Sequence, residues 1–212
     1  IFLKTDVQIN SVLIGGFIIF LVGFYDDIHE LPPKAKVAGQ VLAALVVILY
    51  GGISLKDFMI PNVPTNISTV LAIIITIGWI IGITNAVNLI DGLDGLCAGI
   101  SIIVLVTITF TSISTGRSDI ASLSMLLAGS ITGFLLYNFH PAKIFMGDCG
   151  ALFIGFMISV ISLLGFGYKG STFFTLGAPI VVLAVPIMDT LIAIIRRKVH
   201  HKRFDEADRG HL

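Results

Sequence analysis

The hydrophobic positions of this chain form long, nearly unbroken runs separated by short polar stretches. Seven runs approach or meet the roughly 17–25 residues that a helix needs to cross the hydrocarbon of a bilayer. Because lipid offers no hydrogen-bond partner to a free backbone N–H or C=O, we expect each run to be helical. The pattern therefore predicts an all-α, polytopic transmembrane helical bundle of about seven spans. The predicted spans are 7–23, 35–51, 70–89, 96–113, 120–139, 151–167 and 174–195.

Composition agrees with a membrane protein and excludes several other classes. Of the 212 residues, 56% are hydrophobic and only 12% are charged, whereas soluble domains carry about 25% charged residues. The net charge of zero gives no attraction toward nucleic acid. The two cysteines, Cys97 and Cys149, are too few for a disulfide framework or a metal cluster. Both ends lie in polar stretches, so we expect residues 1–212 to be a single membrane domain truncated at both ends.

Most polar residues are predicted to lie on one side of the membrane. If seven spans alternate in direction, the connections 24–34, 90–95, 140–150 and 196–212 share one side, here called the motif face. Nine of the thirteen lysines and arginines lie in or beside these stretches, and the positive-inside rule makes this side cytoplasmic. Nine of the thirteen acids and all five histidines lie there as well. Four separate stretches that converge on one face favour a functional site.

The first polar motif places two adjacent acids, Asp26 and Asp27, at a membrane boundary. Neighbouring carboxylates repel each other, so they favour a bound cation or a shared proton. A solvated helix end explains the same residues equally well, and both interpretations stay open for this motif taken alone.

The second motif combines two amides and two acids, Asn85, Asn88, Asp91 and Asp94. The first three are spaced three apart, so they lie along one helix face. Four such groups at the end of an apolar helix are costly in lipid, and they mark a functional site. Polar contact between helices would explain one asparagine but hardly all four groups.

The third motif contains Asn138, Lys143 and Asp148, the last of them flanked by glycines just before a predicted helix. A carboxylate in this position suits Mg²⁺, which binds carboxylate and phosphate oxygens, and a lysine suits phosphate. The alternative is an aspartate that caps the helix.

The fourth polar stretch, 196–212, mixes basic, acidic and histidine residues. Its first residues resemble a juxtamembrane anchor for anionic lipid, while the later ones suit a site that closes over a charged substrate. Taken together, the four motifs favour Mg²⁺-assisted chemistry on a phosphate ester at the membrane surface.

Three ordered motifs resemble one family. They are Phe24-Tyr25-Asp26-Asp27, the stretch 85–96 that begins Asn-Ala-Val-Asn, and Ile-Phe-Met-Gly-Asp-Cys-Gly at 144–150. They are similar to those of the polyprenyl-phosphate N-acetylhexosamine-1-phosphate transferases, a superfamily that includes the phospho-MurNAc-pentapeptide translocases. The stretch Ala-Asp-Arg-Gly-His-Leu at 207–212 resembles the start of the His-rich loop found in the GlcNAc-1-phosphate branch of this superfamily.

The resemblance implies that undecaprenyl phosphate attacks UDP-GlcNAc and that UMP is released. By the same resemblance, Asp148 and Asn88 would bind Mg²⁺, or Mn²⁺ in its place, and Asp91 would serve the metal or the nucleotide. Asp26 would be the base for the lipid phosphate, with Asp27 beside it as a second catalytic acid. The expected substrate-binding residues are Lys36 near the diphosphate, Asp94 near the uracil, and Asn85, Asn138, Lys143, Arg209 and His211.

Further expectations follow from the same resemblance. The protein would be a multi-pass protein of the bacterial plasma membrane with a cytoplasmic active site, and it would form a homodimer. Two alternatives stay open: UDP-MurNAc-pentapeptide as the donor, or a transporter that uses membrane acids for coupling.

Overall fold

The computed structural model describes residues 2–55 and 65–165, and this part of the chain is helical and contains no strand. Each of its six helices is long and apolar enough to cross a membrane when the π-helical turn Val46–Tyr50 is counted with α2. The prediction of an all-α membrane bundle is therefore confirmed. The seventh predicted span, 174–195, lies outside the described residues. The helices are α1 Phe2–His29, α2 Pro33–Leu45, α3 Thr65–Ile90, α4 Leu96–Ser114, α5 Ser118–Asn138 and α6 Gly147–Gly165.

Helix α1 is longer than the apolar run predicted. It continues through His29, so Asp26 and Asp27 lie on its last turns and not in a loop as expected. The connection to α2 is short, because Glu30 takes the left-handed backbone conformation (φ 47°) that ends α1. Pro33 then begins α2, where its fixed φ and missing N–H cost nothing. The first motif is thereby held rigidly beside the start of α2.

Helix α6 is the most buried of the described helices and packs mainly against α1 and α3. Two glycines permit close approach. A Cβ on Gly23 of α1 would lie 2.5 Å from Cys149 Cα, and one on Gly155 of α6 would lie 2.8 Å from Thr84 Cα. Small residues at such contacts are typical of membrane helices, whose association depends on close packing. These contacts bring the polar ends of α1 and α3 to the start of α6.

We expect Gly155→Ala to destabilise the protein, because its methyl group would overlap the α3 backbone at Thr84. Overpacking of this kind costs about 1–3 kcal/mol. Gly78 of α3 is the matched control, since it is exposed and a Cβ there meets no atom within 4 Å. Gly78→Ala should therefore leave the melting temperature in detergent unchanged or slightly raised. Equal melting temperatures for the two variants would contradict the close α3–α6 contact.

Arg117 stabilises the end of the bundle opposite the motif face. Its guanidinium pairs with Asp119 at 3.1 Å and donates to the carbonyl oxygen of Leu164 near the end of α6. A buried hydroxyl pair, Thr109 with Ser124 at 2.9 Å, joins α4 to α5 between the two ends. These contacts lie away from the motif face, so their residues serve as control positions for variants of that face.

Candidate active site

The carboxylate of Asp148 is the meeting point of three helices. It lies in the first turn of α6, where Oδ2 accepts a hydrogen bond from Lys36 Nζ at 2.6 Å and Oδ1 accepts one from Asn88 Nδ2 at 2.9 Å. Lys36 belongs to the start of α2 and Asn88 to the end of α3. The alternative interpretation of Asp148 as a helix cap is therefore wrong, because its side chain binds other helices.

Asp26 is joined to the same cluster through Lys36. Its side chain is only 6% exposed and lies 2.5 Å from Lys36 Nζ. Its other oxygen accepts the backbone N–H of Leu31 at 2.6 Å. A buried carboxylate requires such compensation, because an unpaired charge is strongly disfavoured away from water. The alternative of a solvated helix end is wrong for Asp26, and one ammonium links the first and third motifs.

Asp27 caps α6 from a different helix. Its two carboxylate oxygens accept the backbone N–H groups of Asp148 at 2.8 Å and Cys149 at 3.1 Å. The first N–H groups of a helix have no partner within it, and the positive end of the helix dipole favours a negative charge there. Gly147 has a positive φ of 64°, and a Cβ on it would lie 2.9 Å from an Asp27 oxygen. Asp27 and Gly147 thus fix where α6 begins.

A cavity of about 320 Å³ opens beside this cluster on the motif face. Four carboxylates and two asparagines contribute to its wall, together with three apolar side chains and two glycines. The lining residues are Asp27, Asn88, Asp91, Gly92, Leu93, Asp94, Asn138, Phe145, Met146, Gly147 and Asp148. The second and third motifs therefore form one site, as their convergence on one face predicted.

Within the part of the chain that the structure describes, the four carboxylates of the cavity wall have only Lys36 and His140 as basic side-chain contacts. Asp91 follows the end of α3, and partial burial together with the negative charges of Asp148 and Asp27 raises its pKa to about 6. A cation placed among these carboxylates would lower their mutual repulsion. Nevertheless, no three His, Cys, Asp or Glu side chains within residues 2–55 and 65–165 already converge in the geometry of a metal centre.

Asp94 and Asn138 connect the loops that form the cavity wall. Asp94 Oδ2 accepts the backbone N–H of Ala142 and contacts His140 Nδ1, both at 3.0 Å, and these two bonds lower the pKa of Asp94. Buried Asn138 accepts the N–H of Gly95 at 3.0 Å and donates to the carbonyl of Ile144 at 2.9 Å. The turn after α3 is thus tied to the loop between α5 and α6.

The structure does not bring every predicted residue to the cavity. Asn85, expected to bind substrate, pairs with Gln40 of α2 and does not line the wall. Lys143 is exposed and does not line the cavity. Arg209 and His211 lie outside the described residues.

Sequence reasoning missed other residues of the site. Phe145 and Met146 lie in its wall, and His140 contacts Asp94. Phe145 and Met146 belong to the third motif, but neither carries a polar or charged group, so nothing in the pattern marked them as part of a site. Gln40 did leave a signal, since a glutamine within an apolar span is costly unless it has a partner.

Comparison with known proteins gives consistent matches. Residues 9–166 match a family model described as glycosyl transferase family 4. A probable undecaprenyl-phosphate N-acetylglucosaminyl 1-phosphate transferase of Bacillus subtilis is 44% identical over 209 residues, covering 98% of this chain and 58% of the relative. A decaprenyl-phosphate N-acetylglucosaminephosphotransferase of Mycolicibacterium smegmatis is 36% identical over 222 residues, covering 95% of this chain and 55% of the relative.

The other branch of the superfamily matches as well. A phospho-N-acetylmuramoyl-pentapeptide-transferase of Latilactobacillus sakei is 33% identical over 208 residues, covering 92% of this chain and 63% of the relative. The chain therefore spans less than two thirds of the length of each of these relatives.

Proposed function

The chain belongs to glycosyl transferase family 4, and on that premise we propose that the protein transfers GlcNAc-1-phosphate from UDP-GlcNAc to undecaprenyl phosphate. A phosphate oxygen of the lipid bonds to the β-phosphorus of the donor. The bond from that phosphorus to the bridging oxygen breaks, and UMP leaves with the electron pair. The relatives, transferases of N-acetylglucosamine phosphate to undecaprenyl or decaprenyl phosphate by name, support the polyprenyl acceptor and the sugar phosphate.

The observation that carries this proposal is the convergence of the three motifs on Asp148. Polar groups from α1, α2, α3 and α6 meet at one end of an otherwise apolar bundle. A lipid phosphate is held near that depth by its own apolar tail, and a nucleotide sugar approaches from water. Phosphoryl transfer depends mostly on positioning and on neutralisation of charge, which such a cluster provides.

Each residue of the cluster then has a distinct proposed role. Lys36 lies between Asp26 and Asp148 and supplies a positive charge for a phosphate oxygen. Both oxygens of Asp27 are engaged by backbone N–H groups. Asp26 is engaged as well, by Leu31 N–H and by Lys36 Nζ. Its ion pair with Lys36, the proposed phosphate-binding cation, makes Asp26 the candidate to accept a proton from the lipid phosphate, while Asp27 holds α6 in place. Asp94 and Asn138 shape the wall against which the donor lies.

We further propose Mg²⁺, or Mn²⁺ in its place, as the cofactor, held by Asp148, Asn88 and Asp91. The oxygen atoms of these three side chains fit the ion, because carboxylate and amide oxygens suit a hard divalent cation. The raised pKa of Asp91 supports a cation among these groups. When bound, the ion would neutralise the negative charge that develops on the diphosphate.

The test is UMP release by membranes that contain the full-length protein. We expect UMP to form only when both UDP-GlcNAc and undecaprenyl phosphate are present. EDTA should abolish the release and added Mg²⁺ should restore it, because the cavity carboxylates would otherwise repel the diphosphate. Asp119→Asn is the control, since Asp119 pairs with Arg117 at the opposite end of the bundle. UMP release that persists in EDTA would contradict the metal proposal.

The donor could instead be UDP-MurNAc-pentapeptide, since such transferases are also similar to this chain. The GlcNAc assignment is favoured by the higher identity to the Bacillus subtilis relative, 44% against 33% and 37%. Competition between the two donors for one labelled lipid acceptor separates the two assignments. The transporter alternative is set aside by the family membership.

We propose a bacterial plasma-membrane location with the motif face toward the cytoplasm, where UDP-sugars are made. Exposed Lys34, in the first turn of α2, offers a position for a reporter. Because Cys149 is a partly exposed free thiol on the same face, both native cysteines are first replaced by alanine. In that background a Lys34→Cys variant is expected to react with an impermeant maleimide in inverted vesicles and to be protected in intact spheroplasts. Labelling in spheroplasts would reverse the assigned orientation.

A further inference from the structure

Gln40 and Asn85 form a pair of amide side chains one layer deeper in the membrane than the carboxylate of Asp148. Asn85 Nδ2 donates to Gln40 Oε1 at 2.7 Å, and Gln40 Nε2 donates back to Asn85 Oδ1 at 3.2 Å. Asn85 also donates to the carbonyl of Ile81 at 2.8 Å. Gln40 is fully buried. A buried amide is unfavourable unless it is hydrogen-bonded, so each side chain holds the other in place.

The pair lies directly beneath the contacts that Asp148 makes. Gln40 follows Lys36 by four residues, about 6 Å along α2, and Asn85 precedes Asn88 by three residues, about 4.5 Å along α3. Because α2 runs away from the motif face and α3 runs toward it, the two layers stack. Lys36 and Asn88 bind opposite oxygens of Asp148 at 2.6 and 2.9 Å. A slip of one residue between α2 and α3, about 1.5 Å along the axis, would separate at least one of them from Asp148.

We infer that Gln40 and Asn85 are a positioning pair, which fixes the register of α2 against α3 so that Lys36 and Asn88 reach Asp148 together. The two amides are hydrogen-bonded to each other and to the Ile81 carbonyl, so the pair acts through Lys36 and Asn88 and not on the substrate. This gives Asn85 a different role from the substrate contact that the family resemblance implied. The inference rests on the proposed function only in the tests that measure kcat.

The first test exchanges the two side chains. Gln40→Asn shortens one partner by a methylene and Asn85→Gln lengthens the other, so the double exchange keeps their combined reach. We expect each single variant to lower kcat by about 10–100-fold, as loss of residues that orient a metal site does. KM for both substrates should stay near its original value, and the double exchange should recover most of kcat. Single variants with full kcat, or a double exchange without recovery, would overturn the inference.

The second test separates positioning from stability. A double variant with Gln40→Leu and Asn85→Leu leaves no unpaired amide, so it should fold with a melting temperature close to that of the original protein. Its kcat should nevertheless stay low, because apolar side chains do not specify one register. Replacing the Thr109–Ser124 hydroxyl pair by Val and Ala is the matched control, and kcat should be retained there. Retained kcat in the Leu–Leu variant would show that the amides serve stability alone.

A third readout does not depend on catalysis. Lys36→Met should lower the melting temperature of the original protein, because Asp26 and Asp148 lose their shared ammonium. In the double variant with Gln40→Leu and Asn85→Leu, adding Lys36→Met should lower the melting temperature by less, since Lys36 there no longer reaches both carboxylates. Equal decreases in the two backgrounds would overturn the inference whether or not UMP is formed. Absence of UMP release by the original protein would contradict the proposed function alone.

Discussion

Replacing Asp148 by alanine is expected to reduce Mg²⁺-dependent UMP release by at least about 10²–10³-fold, the loss seen when one preorganised electrostatic group is removed from an active site. Lys36 and Asn88 both bind the carboxylate of Asp148, so its loss removes the side-chain contacts that join α2 and α3 to α6. The loss should fall mainly on kcat, because the group is proposed to act on the charge that develops during transfer. Steady-state kinetics in detergent with both substrates varied measures this.

Folding of the Asp148→Ala protein should be largely retained. Lys36 keeps its partner Asp26, so no cation is left buried without a counter-charge. The backbone N–H of residue 148 still donates to Asp27. A melting temperature close to that of the original protein, together with lost UMP release, would support a role in the reaction. Retained UMP release would exclude Asp148 from the proposed site, and Asp119→Ala at the opposite end controls for loss of an aspartate as such.

Hydrophobicity predicted the existence and type of the helices well, because a membrane span must satisfy its backbone internally. The residues at which the helices begin and end were less predictable. Asp26 and Asp27 remain helical because polar residues tolerate a helix that projects beyond the apolar run, and only the left-handed Glu30 ends it. For Gly147 and Asp148, the motif indicated a loop before α6, but both belong to its first turn.

The motifs predicted which residues gather, but not how each one is held. The contact of Asp27 with the start of α6 joins residues 121 positions apart, and no local pattern encodes such a pairing. The same holds for Asp94 and His140, which come from two separate loops. For Asn85, helical spacing correctly indicated that it shares a helix face with Asn88. Asn85 lies deeper in the membrane, however, where its side chain pairs with Gln40 of α2.

Removal of the Asp27 carboxylate should lower stability and activity together. In Asp27→Ala, two N–H groups at the start of α6 lose their acceptor, and loss of a helix N-cap costs about 0.5–2 kcal/mol. Because those N–H groups belong to residues 148 and 149, the first turn of α6 should loosen and kcat should fall with it. The measurements are the melting temperature in detergent and the kcat for UMP release.

Comparison of the two adjacent acids separates capping from proton transfer. Asp27→Asn keeps one oxygen as an acceptor for α6, so it should recover part of both the stability and the kcat that alanine loses. The corresponding change at the neighbouring acid, Asp26→Asn, should recover neither stability nor kcat. Lys36 would lose a charged partner, and the proposed proton acceptor would be gone. If Asp27→Ala kept the original melting temperature while kcat collapsed, Asp27 would act in the reaction itself. The assignment of the proton to Asp26 would then have to be reversed, since the cap would no longer explain why Asp27 is required.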